Sequence, residues 1–181
     1  MTAICSDDSR NGSYLIRDTE LNSAAQKSRF DSLQQEAYLS LWRTYDRLKS
    51  LEDELFSQFD LSAQQYNALR LLEAVHPTTI PTSLLGNKLI SRAPDMTRLL
   101  DRLEDRNLVH RERRSDNRRV VEVGITTAGL ELLANMVNAV RECHAGQLGH
   151  LSEVELEQFV NLLHQVRFPH EDVGSIWRHE P

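Results

Sequence analysis

Guanidinium groups recur along one short part of the chain, at Arg92, Arg98 and Arg102 and again at Arg113, Arg114, Arg118 and Arg119. A planar guanidinium pairs two N–H donors with phosphate oxygens or with the O6/N7 edge of guanine. Pro94 and Thr97 lie among them and offer an apolar ring and a hydroxyl-methyl surface suited to thymine methyls or backbone. Asp95 and Asp116 are the exceptions, since phosphate repels a carboxylate. Asp95 can orient an arginine, accept from a cytosine amine, or sit at a positive helix N-terminus, which is the commonest use. Asp116 either braces Arg118 or Arg113 or is an ordinary turn residue. The chemistry suggested is recognition of duplex nucleic acid.

Charge is distributed to match. The chain has 21 Lys+Arg, 27 Asp+Glu and a formal net charge of −6. From Lys88 to Arg119 ten basic residues face six acidic ones, a local +4, which leaves −10 elsewhere. With a screening length of about 8 Å at physiological salt, the basic patch attracts phosphate on its own terms. The acidic remainder then orients the approach.

The elements that must hold these groups follow from periodicity. With 181 residues and 40% apolar composition, the chain suits one domain with helical extensions. Residues 1–29 are polar and aperiodic, and are expected to form a flexible arm. From Phe30, Leu33, Ala37, Leu41, Tyr45, Leu48, Leu51, Leu55 and Phe59 recur at steps of three and four, which predicts a long helix over 30–59. So narrow a stripe on so long a helix needs a second long helix or a second subunit. Ser62 and Gln65 form a capping box for a helix that His76-Pro77 ends. Ile80-Pro81-Thr82 is expected to start a short helix through Leu84, Leu85 and Leu89. Ser91 is expected to cap the next, with Pro94 in its first turn and Met96, Leu99, Leu100 and Leu103 buried. Asn107 can take the left-handed conformation that ends it. A two-stranded ribbon over Leu108–Arg114 and Arg118–Ile125 turns at Ser115-Asp116-Asn117. Thr126 caps a long helix carrying Leu130, Leu133, Val137, Val140, His144 and Leu148. A second capping box, Ser152 with Glu155, opens a last helix that Phe168-Pro169 stops. The expected division is an arm at 1–29, a dimerisation helix at 30–59, a winged helix-turn-helix domain at 60–126, dimerisation helices at 127–167 and a tail at 168–181.

Several segments together resemble the MarR (multiple-antibiotic-resistance regulator) family. They are Leu61-Ser62-Ala63-Gln64-Gln65-Tyr66-Asn67-Ala68-Leu69-Arg70, Asp95-Met96-Thr97-Arg98-Leu99-Leu100-Asp101-Arg102-Leu103-Glu104, Leu108-Val109-His110-Arg111, Asp116-Asn117-Arg118-Arg119 and Ile125-Thr126-Thr127-Ala128-Gly129. Thr-Arg-Leu-Leu-Asp-Arg-Leu-Glu followed by the Asp-x-Arg wing is specific as a pair. The chain departs from the family pattern at Asn107, where glycine is usual, and at Gly124-Ile125. The resemblance implies a mainly α fold with a small β-wing, in which a winged helix-turn-helix domain lies between long N- and C-terminal dimerisation helices. It implies a homodimer that binds pseudopalindromic double-stranded DNA as a repressor and is released by a small aromatic or phenolic ligand. Tyr38, Trp42, Tyr45 and Tyr66 lie on elements expected to meet where the winged domain joins the dimer helices, and core packing is their alternative use.

Two other readings compete. One is a winged-helix module that binds protein. The other is a redox- or metal-responsive regulator of the same fold. Cys143 and His144 are adjacent and so point to different sides of a helix, and Cys5 falls in the polar arm. No Gly-rich phosphate loop or nucleophile elbow occurs, so neither an enzyme nor a cofactor is expected. No apolar run approaches the roughly 20 residues that span a bilayer, and the start lacks a signal-peptide pattern. The expected location is the cytoplasm.

Overall fold

The computed structural model describes residues 30–91, 95–113, 117, 119–173 and 175–178. The chain divides into two compact units, one ending at Asp46 and the other beginning at Arg47. The first helix, α1 (Leu33–Ser57), runs through the division. Its 25 residues make the seven turns that the periodicity predicts. Ser32 Oγ accepts the Gln35 N–H at 3.1 Å and starts it. In the first unit its apolar side chains are exposed, with Leu33 at 76%, Tyr38 at 64% and Trp42 at 61%. Only in the second unit does α1 reach a core, through Leu55 and Phe56.

The second unit is built around the middle of the sequence. Helix α2 (Ala63–Glu73) opens with the predicted box: Ser62 Oγ accepts the Gln65 N–H at 3.2 Å, and Gln65 Oε1 accepts the Ser62 N–H at 2.8 Å. Ala68, Leu69 and Leu72 lie on its fully buried face. The next segment departs from the sequence expectation. Ile80–Pro81 is a strand, β1, and the short helix α3 (Thr82–Lys88) starts after it. Proline has no N–H for a ladder, so β1 occupies a sheet edge.

Helix α4 (Met96–Asp105) buries Leu99, Leu100 and Leu103 as the spacing predicts. Two strands come next, β2 (Val109–Arg113) and β3 (Val121–Ile125). The ribbon is thus part of a three-stranded antiparallel sheet in the order β1-β3-β2. Ile80 pairs with Val123 on one side of β3, and Arg111 pairs with Val123 on the other. Buried Ile80, Val109, Val123 and Ile125 join the leucines of α2, α3 and α4 in one cluster.

The turn from α4 into the sheet is held by backbone hydrogen bonds. Asn107 has φ 55°, as its side chain allows. The Leu108 N–H donates to Leu103 O at 2.9 Å and the Asn107 N–H to Glu104 O at 2.7 Å, closing the helix with a Schellman pair. Asp60, also at positive φ, ends α1 in the same way, with the Leu61 N–H on Phe56 O. Helix α5 (Thr127–Leu148) is capped by Thr126, whose Oγ1 accepts from the Gly129 N–H at 3.1 Å and donates to Asn107 O at 2.7 Å. It buries Leu133, Met136 and Val140, whereas Val137 is exposed. Helix α6 (Glu153–Arg167) opens with the Ser152–Glu155 box and has no buried residue. A 3-10 turn, Phe168–His170, comes after it.

Gly129 is required by close approach. A Cβ there would collide with the Leu108 carbonyl oxygen and lie 2.6 Å from Ile125 Cγ1. The carbonyl belongs to backbone hydrogen-bonded to Thr126, so it cannot yield cheaply. Gly129→Ala is expected to destabilise the fold by roughly 1–3 kcal/mol, the usual cost of overpacking. A urea midpoint unchanged from wild type would show that α5 can move off the sheet.

Candidate nucleic-acid interface

Helix α4 begins four residues later than the sequence suggests. Its N-cap is Asp95, not Ser91: Asp95 Oδ1 accepts the Arg98 N–H at 2.9 Å. Of the three uses open to Asp95, the structure displays the helix-terminal one. The carboxylate satisfies a backbone donor that would otherwise have no intrahelical partner. Ser91 instead accepts a long 3.4 Å hydrogen bond from Gln64 Nε2. Beside it, Asn67 Oδ1 accepts the Ile90 N–H at 3.1 Å, so α2 holds the turn that leads toward α4.

Thr97, Arg98 and Arg102 are exposed on α4. Asp95, Arg98, Leu99 and Arg102 line one side of a hollow of about 270 Å³, and Ser62, the cap of α2, lines the other with Gln64 and Gln65. Three of the expected site residues are thereby brought together. The structure adds Gln64, which sequence reasoning gave no role, and Ser62, which it used only for capping.

On the ribbon, Arg113 and Arg119 are exposed. Asn117 Oδ1 accepts the Arg119 N–H at 3.1 Å, in keeping with turn chemistry. Arg92, Pro94, Arg114, Asp116 and Arg118 lie outside the described residues.

Two members of the basic patch serve the fold. Arg106 donates from Nη1 to Asp60 O at 2.5 Å and from Nη2 to Phe59 O at 3.1 Å, pinning the end of α1 beside the end of α4. Arg111, on β2, is bound by two carboxylates of α4. Its Nε lies 2.9 Å from Glu104 Oε2, and its Nη2 lies 2.5 Å from Glu104 Oε2 and 2.7 Å from Asp101 Oδ1. The Arg111 backbone N–H donates to Glu104 Oε1 at 3.1 Å. The Arg111 hydrogen bonds hold the Glu104 carboxyl below the usual glutamate range, and the same bonds raise the Arg111 guanidinium.

The four aromatic candidates fall into two groups. Tyr38 and Trp42 are neighbours on α1, with ring centroids 6.3 Å apart, and Tyr45 is 60% exposed. Trp42 also lines a hollow of about 300 Å³ with Leu39, Arg43 and Asp46. Tyr66 is different. It stacks on Phe56 at 4.7 Å, and burial pushes its phenol upward. His144 is exposed rather than buried on an apolar stripe, with Nε2 3.7 Å from Glu52 Oε1. Burial also raises the Cys143 thiol, the opposite of what a reactive thiolate needs. Among the described residues, no three His, Cys, Asp or Glu side chains are grouped to hold a metal, and no helix is long and apolar enough to cross a membrane.

The MarR family model matches residues 61–121, the span from just before α2 to the first residue of β3. A crystal structure of a MarR transcription factor from Planctomyces limnophilus is 58% identical, over 75% of this chain and 98% of that one, with a TM-score of 0.61. The chain belongs to the MarR family. The HTH-type transcriptional regulator MhqR of Bacillus subtilis (strain 168) is 26% identical over 133 residues, 71% of this chain and 88% of that protein. The S. aureus MepR–DNA complex is 26% identical over 71% of this chain and 95% of that one, with a TM-score of 0.63. As a MarR-family member, the protein is a DNA-binding transcriptional regulator with a winged helix-turn-helix fold. The family consists of transcription factors, not enzymes.

The lowered Glu104 carboxyl gives a signed pH dependence. A depressed carboxylate contributes stability that is present above its unfolded value and lost as pH falls through its folded value. Wild type is therefore expected to exceed Glu104→Gln in stability at neutral pH, and the gap should close in acid. Denaturant titrations of both proteins from neutral pH to about pH 2 test this. A gap that stays constant across the series would mean that the Arg111 contact does not depend on the carboxylate charge.

Proposed function

We propose that this MarR-family protein is a homodimeric, sequence-specific repressor that binds a pseudopalindromic operator in double-stranded DNA and is released by a small aromatic or phenolic ligand. The observation that carries the DNA reading is the exposed Arg98–Arg102 pair on α4, set beside Ser62 and Gln64 within a segment of local charge +4. Helix α4 enters the major groove by its N-terminal half. Arg92 and Arg98 contact guanine edges or phosphate, Arg102 contacts backbone, and Pro94 and Thr97 meet thymine methyls or backbone. Asp95 acts on DNA through the arginine whose backbone it caps. Arg113, Arg114 and Arg119 neutralise phosphates. Arg118, oriented by Asp116, enters an A·T-rich minor groove, where a narrow groove concentrates negative potential.

Dimerisation is supported by apolar surface that the chain leaves uncovered. Helix α6 exposes Val154, Val160, Leu162 and Val166, and α1 exposes Leu33, Leu41 and Trp42. A second copy covers such stripes by twofold symmetry and sets two reading helices about 34–36 Å apart, or at a multiple of that distance. A cytoplasmic location follows from the DNA partner.

Selection of bound duplexes from a random pool tests symmetry and reading together. The expected product is an inverted repeat. Arg98→Ala should relax base preference within each half-site, since a base contact is worth roughly 1–3 kcal/mol of discrimination. Arg114→Ala should keep the selected sequence and lower the salt slope by about one unit. Recovery of a single asymmetric site, or an unchanged preference in Arg98→Ala, would overturn this assignment.

The ligand reading is supported by the exposed aromatic surface of Tyr38, Trp42 and Tyr45. Tyr66, the fourth aromatic candidate, is already stacked on Phe56. A panel of simple phenols and benzoates titrated against the protein–operator complex should include a compound that weakens DNA binding. By linkage, the operator should weaken that compound's binding by the same factor, typically about 5–150-fold. If no compound in the panel changes DNA affinity, the protein binds its operator constitutively.

A further inference from the structure

We propose that Arg111, held by Glu104 and Asp101, is the positioning residue that sets the angle between the wing and the reading helix, and so determines how strongly the wing contributes to DNA choice. The proposal rests on the reading of Arg118 as a minor-groove contact. One carboxylate, Glu104, binds both the backbone N–H and the guanidinium of the same strand residue, at 3.1 Å and 2.9 Å. Asp101, three residues earlier and so on the same face of α4, holds Nη2 at 2.7 Å. Three points of attachment between one helix and one strand residue fix rotation as well as distance.

The location suits that role better than a role in stability. Arg111 is 25% exposed, Glu104 38% and Asp101 49%, so solvent screens the pairs and keeps the pH-dependent stability they supply small. The core below already joins α4 to the sheet through Leu100, Leu103, Val109 and Val123. The clamp instead lies partway along β2, with the arginine-bearing end of the ribbon beyond it. Arg113 lies two residues beyond Arg111, about 6.6 Å at the usual rise. A tilt of about 10° at the clamp therefore moves Arg113 by about 1 Å, and residues farther along by more. Recognition groups work only when held to roughly 0.5 Å and 10–20°. Arg111 also directs Nε and Nη2 to these carboxylates, so its positive charge is countered within the helix–wing joint.

A double-mutant cycle separates positioning from general support. Wild type, Arg118→Ala, Arg111→Lys and the double variant are compared on the operator recovered by selection, with A·T or G·C flanks, at one salt concentration. Lysine keeps the charge but lacks the fork that binds two carboxylates. In wild type, Arg118→Ala should weaken the A·T-flanked operator more than the G·C-flanked one. In the Arg111→Lys background the same change should cost roughly 3–30-fold less, because the wing is already displaced. The melting temperature of Arg111→Lys should fall by no more than about 2–4 °C. Should Arg111→Lys fail to fold, Glu104→Gln takes its place in the cycle. A merely structural role would lower affinity for both duplexes in parallel and leave the Arg118 increment unchanged, and that additivity overturns the inference. Loss of any Arg118 effect in wild type itself would overturn the wing reading first, and the positioning role with it.

Discussion

The backbone of Leu108 is the joint on which the DNA-binding unit depends. Its N–H closes α4 on Leu103 O, and its carbonyl accepts the Thr126 N–H that precedes α5. Its side chain is 5% exposed, and it sits directly before β2. One residue therefore couples the end of α4, the start of the ribbon and the start of the long α5 helix. Asn107 makes the turn possible by taking a positive φ, and Gly129 makes it tight by presenting no Cβ to the Leu108 carbonyl. The Thr126 hydroxyl completes the joint by donating to Asn107 O while capping α5. The end of α4 and the start of α5 are thus tied by hydrogen-bonded backbone rather than by a flexible linker.

Arginine is used here in two ways, and geometry separates them. Arg106 and Arg111 donate to internal acceptors: two carbonyls in one case, two carboxylates of one helix face in the other. Arg98, Arg102, Arg113 and Arg119 are exposed and extend the basic surface. An acidic protein can bind DNA through such a surface because screening makes the local charge decisive. The carboxylates interspersed in this segment then serve as caps and braces. Asp95 caps α4, while Asp101 and Glu104 hold the ribbon to it.

The helices outside the winged domain are under a different constraint. In α1 and α6, apolar residues recur at helical spacing, yet α6 has no buried residue and α1 has only Leu55 and Phe56. Leaving Leu33, Trp42, Leu162 and Val166 in water forfeits the burial free energy of each, roughly 1.5–3 kcal/mol for a full side chain of this size. The DNA-binding unit, by contrast, has fully buried Leu69, Leu72, Leu85 and Leu103. The chain completes one core by itself and carries apolar stripes suited to a second.

The sequence by itself determined whatever depends on near neighbours. Helical faces follow from residues three and four apart, so Leu99, Leu100 and Leu103 of α4 and the seven-turn length of α1 were legible. So were the two capping boxes, Thr126 as a cap, and the left-handed Asn107, because each is a contact within a few residues. Only the tertiary structure decided features that need distant partners. Ile80-Pro81 became a strand because β3 was available beside it, and periodicity over two residues cannot show that. Asp95 displaced Ser91 as the cap of α4, and Ser91 became a partner of Gln64 on another helix. The placement of Ser62 and Gln64 beside Arg98, the stacking of Tyr66 on Phe56 and the capture of Arg111 by Glu104 and Asp101 all depend on how helices and sheet pack. Spacing along the chain fixes which face a residue occupies, whereas packing fixes what that face meets.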